Sequence, residues 1–129
     1  MPITDSLLAG RRCLVLDDEI LIALDIQQIL ELAGAKHVFA TASEAIALLR
    51  LEPKFDLAVL DLKLGGSEDS SLGVASELAR MGTPFVFLAG MHVDNVHVRK
   101  FPWAPVAEKP YDALALLDAV QRALKDATP

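Results

Sequence analysis

The chain has 129 residues, of which 53% are hydrophobic and 23% are charged, and its net charge at pH 7 is −6. This length fits one globular domain and is too short for two independent hydrophobic cores. The acidic charge argues against a nucleic-acid partner, because no basic cluster longer than the pair Arg99 and Lys100 offsets it. Cys13 is the only cysteine, which excludes an intrachain disulfide and a cysteine-based zinc site.

The ends of the chain show no targeting signal. No apolar run approaches the roughly 20 residues that a membrane-spanning helix needs, and the N-terminus lacks the residue order of a signal peptide. We therefore expect a cytoplasmic protein without a membrane partner. Residues 1–10 are interpreted as a flexible leader whose Leu7 and Leu8 pack against the domain, residues 11–126 as the domain, and 127–129 as a tail.

Apolar runs typical of strands buried on both faces alternate with segments whose apolar residues recur at helical spacing. In chain order the sequence predicts a strand at 13–16, a helix at 22–33, a strand at 36–40, a helix at 45–49, a strand at 57–60, a helix from Ser70 or Ser71 to Gly82, a strand at 85–88, a helix at 92–100, a short strand around Val106 and a helix at 114–124. Five such alternations predict a parallel sheet covered by helices on both faces, because each crossover packs back over the sheet with the same hand.

Residues at the ends of the predicted helices support these boundaries. Gly34 and Gly82 stand where a residue with left-handed backbone commonly ends a helix. Thr41 and Glu44 have the spacing of a capping box, which predicts that Thr41 caps the second helix. Pro84 follows the third helix and returns the chain to an extended conformation.

Polar residues follow the predicted strands. Asp17 and Asp18 follow the first strand, Asp61 ends the third and Lys109 follows the fifth. In open parallel sheets, sites form beyond the carboxyl ends of the strands, so we expect these four residues to share one site. An isolated pair of aspartates is more often a helix cap or a solvated loop than a metal site. The expected position beside Asp61 is what favours metal binding.

Three motifs together resemble the receiver domains of bacterial response regulators, the fold of the chemotaxis regulator. They are Leu-Asp-Asp-Glu at 16–19, Val-Leu-Asp at 59–61 and Glu-Lys-Pro at 108–110, and the resemblance extends over residues 11–126. It implies a flavodoxin-like, doubly wound α/β fold with five parallel strands in the order 2-1-3-4-5 and five helices. It also implies phosphorylation by a histidine kinase or phosphotransfer protein, and signalling through altered contacts with a downstream protein.

The resemblance assigns a role to each polar residue. Asp61 is the phospho-acceptor, Lys109 contacts the phosphoryl group, and Asp18 and Asp61 bind Mg²⁺ or Mn²⁺, with Asp17 acting through a water and the Lys63 backbone carbonyl as a further ligand. The residue types fit this assignment, because Mg²⁺ prefers hard oxygen ligands and keeps several waters. A divalent cation also relieves the repulsion among three clustered carboxylates.

Two positions depart from the receiver pattern. Ala89 stands where receivers usually have Thr or Ser, so the hydroxyl that meets a phosphoryl oxygen is missing. Val106 stands where they usually have Tyr or Phe, so the aromatic switch is missing as well. The segment 84–90 and the Leu-Gly-Gly at 64–66 resemble a group of alphaproteobacterial single-domain receivers, although that group has Thr at the position of Ala89.

Three hypotheses follow from these residues. The first is a stand-alone receiver that Asp61 phosphorylation switches, acting as a monomer or weak homodimer and not as a dedicated enzyme. The second is a receiver-like docking module with weak or no phosphorylation-dependent switching, which Ala89 and Val106 favour. The third is a metal-dependent phosphohydrolase, which typically needs a second acid two residues after the nucleophile, where this chain has Lys63.

Overall fold

The computed structural model describes residues 7–62, 71–90, 100–109 and 111–126. Within these ranges the elements, in chain order, are β1 (Arg12–Leu16), α1 (Ile20–Leu32), β2 (His37–Thr41), α2 (Glu44–Leu49), β3 (Leu57–Leu62), α3 (Leu72–Met81), β4 (Phe85–Ala89), β5 (Val106–Glu108) and α4 (Ala113–Asp126). The helix predicted at 92–100 lies outside the described residues except for its last position. The predicted helix count of five therefore becomes four in the part of the chain that the structure describes.

The five strands form one sheet in the order β2-β1-β3-β4-β5, and every neighbouring pair is parallel. This confirms the predicted doubly wound fold and its strand order. The central strand β3 is buried at all six positions, as the continuous apolar run at 57–60 predicts for a strand covered on both faces.

Each face of the sheet has its own hydrophobic core, because successive side chains of a strand point to opposite faces. Cys13 and Val15 pack against α1 and α4, whereas Leu14 and Leu16 pack against α2 and α3. Burial raises the pKa of the Cys13 thiol to about 12, and nearby Asp56 adds to the shift. Cys13 is therefore a small core residue with an unreactive thiol.

The glycine signals at the helix ends are confirmed, and one capping prediction is wrong. Gly34 and Gly82 have φ angles of 103° and 76°; Gly82 directly follows α3, and Gly34 follows the capping residue of α1, Ala33. The cap of α2, however, is Ser43, whose hydroxyl accepts a hydrogen bond of 3.1 Å from the Ile46 N–H. Thr41 cannot serve as this cap because it is the last residue of β2 and pairs with β1.

Part of the predicted leader is attached to the domain. Leu8 is fully buried, and its N–H donates a 2.9 Å hydrogen bond to the carbonyl of Ala33 at the end of α1. Ala9 pairs with Ala35 in an isolated antiparallel bridge. The expected packing of Leu8 is thus observed.

Among the described residues, no helix combines the length and the apolar character that crossing a membrane requires.

Candidate functional site

The fold brings the four predicted polar residues together at the carboxyl-terminal edge of the sheet. Lys109, which directly follows β5, places its Nζ atom 2.7 Å from Oδ1 of Asp61 and 3.4 Å from Oδ2 of Asp17. Asp17 is fully buried and Asp61 is 6% exposed. One ammonium group therefore bridges two buried carboxylates that come from different strands.

Three carboxylates of this site could hold a metal ion. Asp17, Asp18 and Asp61 each place one carboxylate oxygen within 4.8 Å of the other two. They open into a cavity of about 520 Å³, whose lining also includes Ser43, Glu44 and Ser71. This set of oxygens fits Mg²⁺ or Mn²⁺, which favour oxygen ligands. Lys63, the predicted source of a carbonyl ligand, lies outside the described residues.

Burial dominates the electrostatics of the site. It raises the pKa of Asp61 to about 6, a shift that the Lys109 hydrogen bond opposes and the Asp17 charge increases. Burial also raises the pKa of Asp17, although the Glu19 N–H and Lys109 counteract it. For Lys109 burial lowers the pKa, but bonding to Asp61 and Asp17 outweighs that effect and leaves it raised. Without a bound metal ion, the three carboxylates of the site carry more negative charge than the single lysine can neutralise.

Local hydrogen bonds fix the two ends of the site. The backbone N–H of Asp17 donates to the Thr41 carbonyl at 3.1 Å, and its Oδ1 accepts from the Glu19 N–H at 2.9 Å. The backbone N–H of Lys109 donates to the Ala89 carbonyl at 2.7 Å. The lysine is thus anchored to β4 at Ala89, the position where receivers usually have a hydroxyl.

Ser71 is a site residue whose contact the sequence analysis missed. It precedes α3 as predicted, but its hydroxyl makes no capping bond. The hydroxyl instead donates a 2.9 Å hydrogen bond to the backbone carbonyl of Asp61, and the side chain is almost fully buried. The start of α3 is therefore tied to the main chain of the proposed phospho-acceptor. No local sequence signal predicts this contact, which spans ten residues.

Both atypical positions lie where the sequence predicts them. Ala89 is the last residue of β4 and is fully buried. Val106 is the first residue of β5, is half-buried and pairs with Phe87 of β4. Neither side chain can donate a hydrogen bond. Of the described side chains at the ends of β4 and β5, Lys109 is therefore the one that can donate a hydrogen bond to a phosphoryl group on Asp61.

The arrangement defines a doubly wound α/β protein with an acidic, lysine-bridged site at its strand ends, and known proteins with this fold can be compared with it. No protein-family model matches the chain, and no curated protein gives a significant match. Among solved structures, a response regulator receiver protein from Sinorhizobium medicae WSM419 is 29% identical, with a TM-score of 0.73 over 95% of this chain and 99% of that one.

Other solved structures agree in fold. A CheY-like receiver domain protein from Methanospirillum hungatei JF-1 is 23% identical, with a TM-score of 0.76 over 92% of this chain and 97% of that one. A response regulator from Chloroflexus aurantiacus J-10-fl, described as putative, is 19% identical, with a TM-score of 0.75 over 90% and 98%. The chain thus has the fold of response-regulator receiver domains and is similar to them over nearly its whole length, which supports a receiver domain.

Proposed function

We propose that this receiver domain accepts a phosphoryl group on Asp61 from a histidine kinase or phosphotransfer protein and signals through changed contacts with a downstream protein. The main support is the 2.7 Å contact between Lys109 and Asp61, made beside Asp17 and Asp18. A purely structural ion pair needs neither a cavity nor further acids beside it. The lysine here is bonded to a buried carboxylate that faces a cavity with two more acids, and this arrangement suits phosphoryl transfer better.

Each residue has a defined chemical task in this proposal. A carboxylate oxygen of Asp61 attacks phosphorus and forms an acyl phosphate, while the donor's leaving group keeps the electrons of the broken bond. Lys109 holds Asp61 in its charged, nucleophilic form and then offsets charge on the phosphoryl oxygens. Bound by Asp17, Asp18 and Asp61, Mg²⁺ or Mn²⁺ would neutralise further charge on those oxygens. The domain assists its own phosphorylation and does not act as a dedicated enzyme.

The test is to incubate the purified protein with acetyl phosphate and Mg²⁺ and to measure its intact mass. We expect one added phosphoryl group, and we expect Asp61→Asn to abolish it. Asp118→Asn is the matched control, because Asp118 is an exposed acid on α4 whose ion pair among the described residues is with Arg122. Undiminished phosphorylation of the Asp61→Asn protein would show that another residue is the nucleophile.

A second candidate is a docking module in which phosphorylation has little effect. Ala89 and Val106 favour it, because a phosphoryl group on Asp61 finds no hydroxyl at the end of β4 and no aromatic switch in β5. If several phosphodonors and Mg²⁺ give no phosphorylated protein, this candidate replaces the first. Phosphorylation without any change in partner binding would support it as well.

A further inference from the structure

A second group of charged residues lies at the amino-terminal edge of the sheet, opposite the aspartate site. Arg12 opens β1 and pairs in register with His37, which opens β2. Arg50 directly follows α2. Register partners in neighbouring parallel strands present their side chains on the same face, here the face that α2 covers. The fold thus gathers two arginines and a histidine at one corner of a chain whose net charge is −6.

Both arginines lie over aromatic rings. The guanidinium carbon of Arg12 is 5.2 Å from the centroid of Phe55, and that of Arg50 is 5.2 Å from the centroid of Phe39. Such a contact attracts the cation to the ring without a conventional hydrogen bond from its N–H groups. The rings therefore hold the two cations in place without neutralising their charge.

No described carboxylate neutralises these cations. Neither Arg12 nor Arg50 forms an ion pair with any residue in the described ranges. The Nε atom of Arg12 is buried and has no hydrogen-bond partner there. Asp56, the nearest acid along the strand edge, accepts a 2.8 Å bond from the backbone N–H of Arg12 and not from its side chain. A buried donor without an acceptor is costly, so the described part of the protein leaves the hydrogen-bonding capacity of Arg12 unsatisfied.

These side chains surround a cavity of about 250 Å³. Its lining residues are Arg12, His37, Val38, Phe39, Arg50, Glu52, Pro53 and Phe55. The lining thus includes two arginines and a histidine but one acidic residue, Glu52. The cavity therefore has an excess of positive charge and of hydrogen-bond donors.

We propose that this cavity binds a phosphate group, either as inorganic phosphate or as a phosphate monoester. Guanidinium groups bind phosphate oxygens in pairs with matching planar geometry, and a dianion neutralises both arginines where a single carboxylate would leave one uncompensated. The cavity volume of about 250 Å³ leaves room for a small ester substituent beside the phosphate. This site is separate from Asp61 and goes beyond the proposed phosphorylation.

The test is an NMR titration of amide shifts without divalent metal, using inorganic phosphate, glycerol phosphate as the monoester, and sodium chloride at matched ionic strength. We expect saturable shifts in residues 37–39 and 50–55, with a dissociation constant on the order of 1 mM for the better ligand. The tighter of the two phosphates identifies the source. Arg50→Gln should weaken binding about tenfold, which corresponds to about 1.4 kcal/mol.

Three further proteins make the result specific. Arg122→Gln, which removes an exposed arginine from α4, should bind like the natural protein. Arg50→Lys keeps the charge but loses the planar donors, so it should bind with intermediate affinity. Asp61→Asn should not change the affinity. Shifts that sodium chloride reproduces, that lie only around Asp61 and Lys109, or that persist in Arg50→Gln would each overturn the proposal, as would the absence of saturable shifts with both phosphates.

Discussion

The carboxyl-terminal and amino-terminal edges of the sheet hold their charges in different ways. At the carboxyl-terminal edge Asp17, Asp61 and Lys109 are buried and touch one another, with Nζ to oxygen distances of 2.7 and 3.4 Å. At the amino-terminal edge Arg12 and Arg50 lie on separate aromatic rings and form no ion pair with a described residue. Charges in direct buried contact shift one another's pKa values, whereas charges without such a contact interact more weakly through solvent.

This difference determines how a change at each edge should spread. A charge removed from the buried cluster alters the protonation and metal affinity of its neighbours, because little solvent screens them. A charge removed from the amino-terminal edge affects its own ring and any bound anion, because solvent screens the rest. The largest effects are therefore expected at the carboxyl-terminal edge and the smallest at the opposite edge.

The largest expected effect concerns the donor missing at Ala89. A charge-assisted hydrogen bond to a phosphoryl oxygen contributes roughly 1.5 to 3 kcal/mol, so its absence reduces a population shift by a factor of about ten to a hundred. Beryllofluoride, a phosphoryl mimic, should shift amides near Asp61 in both the natural protein and Ala89→Thr. In Ala89→Thr the shifts should spread further into residues 92–112.

Ala89→Val is the matched control, because valine has nearly the shape of threonine but no hydroxyl. If it behaves like Ala89→Thr, the added volume at this buried position causes the change, not the hydrogen bond. A full response across residues 92–112 in the natural protein, unaltered by Ala89→Thr, would show that this receiver switches without a hydroxyl at the end of β4.

The next effect concerns metal binding by the acidic cluster. Asp18→Ala removes one of three carboxylates whose oxygens lie within 4.8 Å of one another. We expect the affinity for Mg²⁺ to fall about tenfold or more, since oxygen ligands and their negative charge both stabilise the bound ion. Amide shifts during a Mg²⁺ titration measure this, and Asp118→Ala is the control of equal charge. Equal affinities of the natural protein and Asp18→Ala would exclude Asp18 from the metal site.

Stability should depend on pH through Asp61. Its pKa rises from 3.8 to about 6 on folding, mainly through burial. Between about pH 4 and pH 6 the folded state therefore holds a proton that the unfolded state has released, and this group makes stability fall as pH rises. Urea unfolding of the metal-free protein should show the decline, and Asp61→Asn should flatten it. Added Mg²⁺ should reverse the decline in the natural protein. Identical pH curves for the two proteins would contradict the shift.

Much of the fold and the position of the aspartate site could be predicted from the sequence. Strands buried on both faces are continuous apolar runs, so the predicted 57–60 falls within β3. Because the carboxyl ends of parallel strands share one edge, the order of Asp17, Asp61 and Lys109 along the chain was enough to predict their meeting. The resemblance to receivers supplied the strand order, which local patterns alone do not determine.

Contacts set by tertiary packing could not be predicted. The cap of α2 was assigned to Thr41 because its spacing from Glu44 fits, but pairing with β1 extends β2 through Thr41 and moves the cap to Ser43. The hydrogen bond from Ser71 to the Asp61 carbonyl depends on the path of the chain between these two residues, which brings the start of α3 back to β3. The stacking of Arg12 on Phe55 likewise joins residues 43 positions apart, which no local pattern brings together.

A smaller effect is expected at Ser71. Ser71→Ala leaves the buried Asp61 carbonyl without this 2.9 Å hydrogen bond, which should lower the free energy of unfolding by about 1 kcal/mol. Urea unfolding measures the loss. Ser71→Thr keeps a hydroxyl and should retain most of the stability. If the bond also positions Asp61, Ser71→Ala should slow phosphorylation by acetyl phosphate and Ser71→Thr should not. Equal stability of all three proteins would show that the bond contributes nothing.

The smallest effect is the coupling between the two arginines. We expect the changes in unfolding free energy caused by Arg12→Gln and Arg50→Gln to add within about 0.5 kcal/mol in phosphate-free buffer, because each guanidinium contacts its own ring and the two share no partner. The measurement is a double-mutant cycle by urea unfolding. Repulsion between the two cations would instead make the double variant more stable than the sum predicts.

A saturating phosphate ligand bridging both arginines should break the additivity, since either single change then removes most of the ligand's stabilisation. If the two changes in unfolding free energy still add in saturating phosphate, no ligand bridges the two arginines. Of the two edges, only the aspartate edge would then combine its charges in one site.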